Sequence, residues 1–315
     1  MITKEQREER KKFIGSSDVA ALFGLDPFKT SADVYAEKVF TIAEPNTTSD
    51  SIKIGNRHES ACVDFVREAL GVSVVTDPKL LRFICPDHQI FACNLDAYTA
   101  SDFMFQDTKI TNENVIIEAK TTGLADEWGE PGTDEAPYRV LLQVHHQMLC
   151  TGWDKAVIVV LMGKFGLREE LYYVRRNKVI CDAIIEKCTD FWNGHVKTKI
   201  PPPDSIPANI DLFSRIERIP ESFAEVPDEV IRAWDEARRV RLDAEKAEKE
   251  AKARMLLDLG DAEAAKLSNG DMLTYYRQSG RDILDATLLR QKYPDIYTEV
   301  AKPNSYPVLR IKKAK

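Results

Sequence analysis

No stretch of the 315 residues is apolar for long enough to span a bilayer, and no apolar segment follows the polar N-terminus. The chain therefore reads as a soluble intracellular protein. No C-x-x-C pair occurs either. The six cysteines (Cys62, Cys85, Cys93, Cys150, Cys181 and Cys188) are scattered, which excludes a zinc ribbon or a disulfide framework and leaves buried thiols. Cys85 and His88 have a ligand-like gap, but no second pair completes a tetrahedral set. An excess of positive charge is also lacking, since the net charge is −7. That argues against a protein coating nucleic acid non-specifically, which needs clustered cations to release counterions, but it leaves room for a local grip. An acidic total can equally reflect carboxylates gathered for divalent cations. No internal repeat is visible.

What is present is enough apolar residue, 43% of the chain, to build one large domain or one domain with an appendage. Basic groups gather near the two ends: Arg7, Arg10, Lys11 and Lys12, then Lys302, Arg310, Lys312, Lys313 and Lys315. Near the start, Ser16 or Ser17 caps a short helix running through Phe23, with a second helix from Thr30 or Ser31. The stretch Ile54 to Leu70 carries an apolar stripe and stops at Gly71, with Glu59 in its first turns. Strands are expected at 72–75, 80–84, 90–96, 103–105 and 115–120, followed by a helix from Tyr138 that closes at Gly152. A buried strand ("KAVIVVLMG"), an alternating one ("LREELYYVRR") and a helix over 178–196 come next. "IPPPDSIP" then breaks the pattern.

The expected organisation is a domain over 1–204, a linker with a long charged helix over 205–265, and a small α/β extension over 266–315. Asp228 to Leu259 contains neither Gly nor Pro and is dense in Ala, Glu, Lys and Arg, so it reads as a long exposed helix or a coiled-coil arm. The last segment mixes strands ("DMLTYYRQ", "YPVLRIKK") with a helix after Asp282 or Asp285.

The chemistry concentrates in "NVIIEAKTT". Three β-branched residues fill a buried strand, yet Glu118 and Lys120 follow at once, on one face because side chains alternate. Buried charge must be paired or ligate a metal, so these two are either a structural ion pair or a site. "FACNLDAY" delivers Asp96 at the end of a neighbouring strand. Asp followed by Glu-x-Lys on an adjacent strand is the signature of the PD-(D/E)XK nucleases, in which hard carboxylates hold Mg²⁺ against a phosphodiester and the lysine orients the attacking water.

The surrounding motifs, "IGSSDVAALFGLDPFKTSADVYAEKV", "GNRHESACVDFV", "DAY", "IIEAKTT" and "YRVLLQVHHQMLCTG", occur in the order seen in the phage lambda exonuclease family, the YqaJ-like viral recombinase nucleases. The resemblance spans roughly residues 10 to 195. It implies an α/β restriction-endonuclease-like core, a central mixed sheet flanked by helices, with a helical or coiled-coil C-terminal extension. It implies Asp96, Glu118 and the Ala119 carbonyl as metal ligands, Lys120 as the catalytic lysine, and Glu59 near a second metal. Two Mg²⁺ ions are expected, with Mn²⁺ as a substitute. Arg10, Ser16 or Ser17, Asn94 and Gln143 would bind a DNA 5′ phosphate, with His145 standing where a second glutamine is common.

The implied activity is 5′-to-3′ digestion of duplex DNA from a 5′-phosphorylated end, leaving a 3′ overhang. The implied setting is a homotrimeric ring on DNA ends, working beside a single-strand annealing protein, without a membrane, in the cytoplasm of a bacterial host carrying the phage or prophage. Two rivals stand beside it: a structure-specific endonuclease of the same superfamily, and a non-catalytic scaffold that binds DNA ends. Bland readings of single residues also stand. Ser16 or Ser17 can be only a cap, Glu59 only a first-turn glutamate favoured by the helix dipole, and the histidines only polar helix positions.

Overall fold

The computed structural model describes residues 8–45, 49–163, 166–203, 205–281, 283–302, 309 and 311. Two compact units are present, Met1–Arg218 and Ile219–Lys315.

The first unit opens with helices α1 (Ser16–Leu22), α2 (Ser31–Val39) and α3 (Asp50–Leu70). Short strands follow: β1 (Arg82–Ile84), β2 (Ala92–Asn94), β3 (Ala97–Thr99), β4 (Phe103–Phe105) and β5 (Thr108–Ile110). Then come β6 (Val115–Thr122), α4 (Tyr138–Thr151), β7 (Lys155–Gly163), β8 (Leu167–Arg175), α5 (Lys178–Phe191) and α6 (Ile210–Ser214). The central sheet has the order β3-β6-β7-β8. Only the β6–β7 pair is parallel, and α4 is the crossover between them, as parallel strands require.

Alternation along β6 sorts its residues between two layers. Val115 and Ile117 join Val157, Val159 and Leu161 of β7 against Val63 and Val66 of α3. Ile116 joins Ile158 and Val160 against Val144 and Met148 of α4. Glu118 and Lys120 pair in register with Ile158 and Val160, so both lie on the α4 side. The helix α4 ends where Gly152 adopts φ 73°, a left-handed turn that costs a glycine nothing.

Beneath α1 lies a buried charge cluster. Asp18, 2% exposed, accepts Lys29 Nζ on Oδ1 at 2.8 Å, and on Oδ2 both Lys38 Nζ at 2.7 Å and the Gly15 N–H at 3.0 Å. The cap at Gly15 is thus filled from within the helix; Ser16 and Ser17 are not its cap.

Several strand boundaries differ from the expectations. Residues 72–75 contribute one isolated bridge, Val75 to Tyr98, and β3 and β5 were hidden in segments too short to show a period. The helix carrying Glu59 starts at Asp50, with Ser49 as its cap, so Glu59 lies well beyond the first turn and the dipole does not account for it. The domain break also moves from residue 204 to Arg218. Ala208 and Asn209 N–H groups donate to Asp33, Leu212 and Ile216 are buried, and Ile42 bridges Ile216, so the segment after the prolines belongs to the first unit.

The second unit consists of α7 (Asp228–Leu259), the hairpin β9 (Ala264–Lys266) with β10 (Met272–Thr274), α8 (Ala286–Lys292) and α9 (Pro294–Val300). The helix α7 is continuous and solvated, with i,i+4 pairs such as Arg254–Asp258 at 3.1 Å along it. The expected strand "YPVLRIKK" falls mostly outside the described residues. Among the described residues, no helix is long and apolar enough to cross a membrane.

The Asp18 cluster sets an acid limit. Burial opposes its charge, yet Lys29 and Lys38 overcome this and hold the carboxyl well below the usual value near 3.8. A depressed folded-state pKa stabilises above the unfolded value and loses that contribution as pH falls through the folded one. Denaturant unfolding across pH should therefore show Asp18→Asn about 3 kcal/mol less stable near neutrality, because buried lysines lose their partner. The gap should narrow steadily below about pH 4. A gap that is constant across that range would contradict the assignment.

Candidate active site

The site forms where β6 runs out of apolar partners. Glu118 is only 2% exposed, and both its oxygens are engaged. Oε1 accepts Lys120 Nζ at 2.5 Å and Gln143 Nε2 at 2.5 Å, while Oε2 accepts Gln147 Nε2 at 2.6 Å. Lys120 Nζ also donates to Gln143 Oε1 at 3.0 Å. Gln143 and Gln147 are one α-helical turn apart on α4, so a single helix face supplies both amides. The second glutamine was not anticipated, although its i,i+4 spacing from Gln143 was the available signal.

Asp96 sits in the bend between β2 and β3, and its Oδ2 accepts the Ala119 N–H at 2.9 Å. That bond ties the β2–β3 corner to β6 beside Glu118. Burial first, and then the neighbouring Glu118 carboxylate, push the Asp96 carboxyl well above its ordinary value. Glu59 is exposed on α3. Its carboxyl is also raised, by partial burial and then by Glu118, so it stands close enough to feel the site. Burial opposes the Lys120 charge, but Glu118 and Asp96 hold its pKa above the ordinary lysine value. Asp96, distant in sequence, is thus brought together with Glu118 and Lys120.

Beside them opens a cavity of about 100 Å³ lined by Arg10, Phe13, Gly15, Ser16, Ser17, Lys38, Arg82, Ala92, Cys93, Asn94 and Gln143. Five expected phosphate ligands, Arg10, Ser16, Ser17, Asn94 and Gln143, thus share one hollow. Lys38 and Arg82 add two cations that sequence reading did not single out. Among the described residues, no carboxylate lines it, although Arg82 pairs with Glu9 at 3.0 Å. Gln143 belongs to both the cavity and the Glu118 network, and Asn94 lies two residues from Asp96.

His145 is not there. Roughly 200° around α4 from Gln143, it is buried at 2% exposure with Nδ1 against the Leu141 carbonyl at 2.7 Å. Its neighbour His146, which could have been only a polar helix position, instead reaches Ser16 Oγ with Nδ1 at 3.0 Å. Helical phase explains the exchange, because residue 146 lies one turn from Gln143 and residue 145 does not.

Residues 6–154 match the model of the YqaJ-like viral recombinase domain. The chain is 24% identical to the protein named YqaJ of Bacillus subtilis (strain 168), over 97% of this chain and 92% of that one. Among solved structures, an alkaline exonuclease (LHK-Exo) from Laribacter hongkongensis is 14% identical, covering 63% of this chain and 94% of its own, with a TM-score of 0.47. A phage-related exonuclease from Haemophilus somnus 129PT is also 14% identical, covering 62% and 83%, with a TM-score of 0.37. The matched YqaJ-like segment ends at Asp154, just before β7, and contains every residue of the site and cavity named above.

The donor set of Asp96, Glu118 and Glu59 fits a hard divalent cation. Two carboxylates are crowded together with the field of a third, which is the repulsion a cation relieves, and all donors are oxygens. Among the described residues, no three His, Cys, Asp or Glu side chains are gathered closely enough to enclose an ion. Mg²⁺ does not demand that, since it is ordinarily held by one or two carboxylates with water and phosphate completing its shell. Asp96, Glu118 and the Ala119 carbonyl would hold it, with Glu59 nearest to a second ion.

Thermal melts test this directly. Mg²⁺ should raise the unfolding midpoint of the wild-type protein and leave Asp96→Asn unmoved, while metal-free Asp96→Asn should melt above metal-free wild type because the carboxylate crowding is gone. Equal Mg²⁺ responses in both would contradict the assignment.

Proposed function

We propose that the protein is a Mg²⁺-dependent exonuclease that hydrolyses phosphodiesters of duplex DNA from a 5′-phosphorylated end, 5′ to 3′, leaving a 3′ single-stranded overhang. One observation carries this reading: a cavity lined by Arg10, Lys38 and Arg82, with no carboxylate among its described lining residues, adjoins a carboxylate–lysine centre, with Gln143 common to both. A nuclease acting within duplexes needs to grip phosphates on either side of the cut. A small hollow of about 100 Å³ beside the acidic centre instead suits one terminal phosphate.

Mg²⁺ at Asp96 and Glu118 would supply Lewis-acid charge against the scissile phosphate, with Mn²⁺ as a substitute. The chain's own groups do the rest. Lys120 stays protonated under the Glu118 and Asp96 carboxylates, so it serves as a fixed donor that holds the attacking water and favours its hydroxide form. Gln143 fixes Lys120 on one side and reaches the terminal-phosphate cavity on the other, which sets the spacing between end and cut. Arg10 meets the end phosphate, with Lys38, paired to Asp18, and Arg82, paired to Glu9 at 3.0 Å, beside it.

A net charge of −7 leaves no broad attraction to DNA. Processive digestion would then rest on enclosure, and assembly as a ring of three chains, serving a single-strand annealing protein, belongs to the proposal. Light scattering with duplex DNA should give the mass of three chains.

Digestion of end-labelled DNA decides the activity. Linear duplex should be degraded and covalently closed circles spared, with 5′-phosphorylated ends preferred over 5′-hydroxyl ends. Asp96→Ala, Glu118→Ala or Lys120→Ala should lower the rate by about a thousandfold or more while DNA binding persists. Arg10→Ala should erase the preference for a 5′ phosphate. Undiminished digestion in the three alanine variants would refute the reading, and cutting of closed circles would favour the endonuclease.

A further inference from the structure

We propose that His146 is a positioning residue: its Nδ1–H donates to Ser16 Oγ and so keeps the Ser16 hydroxyl proton aimed into the Arg10 cavity, where it is offered to a phosphate oxygen. The inference rests on the DNA-end reading above and deepens it.

His146 is 0% exposed, packed beside the Phe91 ring with centroids 5.2 Å apart and planes tilted by 52°, and outside the reach of any substrate. Its Nδ1 lies 3.0 Å from Ser16 Oγ and more loosely, at 3.7 Å, from Cys150 Sγ. Its Nε2 is buried with no hydrogen-bond partner among the described residues. Burial drives its pKa down to about 4, so the ring is neutral and carries one N–H.

The placement of that proton decides what Ser16 can do. With the proton on Nε2, a buried N–H has no acceptor, and Ser16 must spend its only proton on Nδ1, turning bare lone pairs toward a cavity lined by Arg10 and Lys38. With the proton on Nδ1, every N–H has an acceptor and only a lone pair is orphaned. An orphaned buried donor is the rarer arrangement. The Nδ1–H form therefore prevails, and it frees the Ser16 hydroxyl to donate into the cavity that Ser16, itself 7% exposed, lines. A hydroxyl locked as an acceptor from behind is a preorganised donor in front, and it suits an anion.

Inorganic phosphate binding to the full chain, measured by calorimetry, tests the proposal without relying on DNA digestion. Ser16→Ala and His146→Leu, which keeps bulk and removes the donor, should each weaken phosphate binding about tenfold, and the double variant should be no weaker than either. His146→Asn, whose amide N–H takes the place of Nδ1–H, should remain near wild type. The ¹⁵N spectrum of the wild-type imidazole should report a proton on Nδ1, a readout independent of whether His146→Leu folds. A proton on Nε2, wild-type phosphate affinity in His146→Leu, or no phosphate affinity in the wild type would each overturn the proposal. Phosphate binding that depends on His146, in a protein that digests no DNA, would uphold it and end the nuclease reading instead.

Discussion

Glu118 is the constraint around which the rest is arranged. A carboxylate at 2% exposure inside a sheet is costly, and it is tolerated here because Lys120, Gln143 and Gln147 meet both its oxygens. The sheet order follows from the same demand. Only a parallel β6–β7 pair with α4 as the crossover lays that helix over β6, and only the α4 phase that presents Gln143 and Gln147 inward satisfies the acid. Asp96 joins through the Ala119 N–H, so the second carboxylate is positioned by a backbone group adjoining the first.

Positive charge is rationed in this acidic chain. Lys29 and Lys38 are committed to Asp18, and Lys120 to Glu118, so much of the basic side chain near the site is structural as well as functional. Lys38 does both, pairing with Asp18, donating to the Arg10 carbonyl at 3.0 Å, and lining the cavity. The cluster under α1 thereby anchors the segment that carries Arg10 against α2. Electrostatic attraction is focused on one small hollow and not spread over the surface, which suits recognition of a single terminal anion better than tracking of a long backbone.

Much of this was legible in the residues because the signals were long or chemically unusual. The apolar run ending in Glu118 and Lys120 announced a buried strand with a charge that needed a purpose; α4 and β8 carried a clear period, β7 an unbroken apolar run, and α7 a long stretch without Gly or Pro. Strands of three residues, such as β3 and β5, have no period to read. The proline run was a fair marker of a break, but the backbone N–H groups after it find Asp33, a pairing across the fold that no local pattern encodes. His145 and His146 differ by one position, and which enters the site depends on where α4 begins its rotation over β6. Lys38 and Arg82 come from different elements and meet only in three dimensions.

Anomalous diffraction from crystals grown with Mn²⁺ examines the central claim most directly. The account predicts a peak within ligand distance, about 2.0–2.2 Å, of carboxylate oxygens from both Asp96 and Glu118. Crystals in which Mn²⁺ binds elsewhere, while Glu118 remains closed upon Lys120 and Gln147, would contradict it.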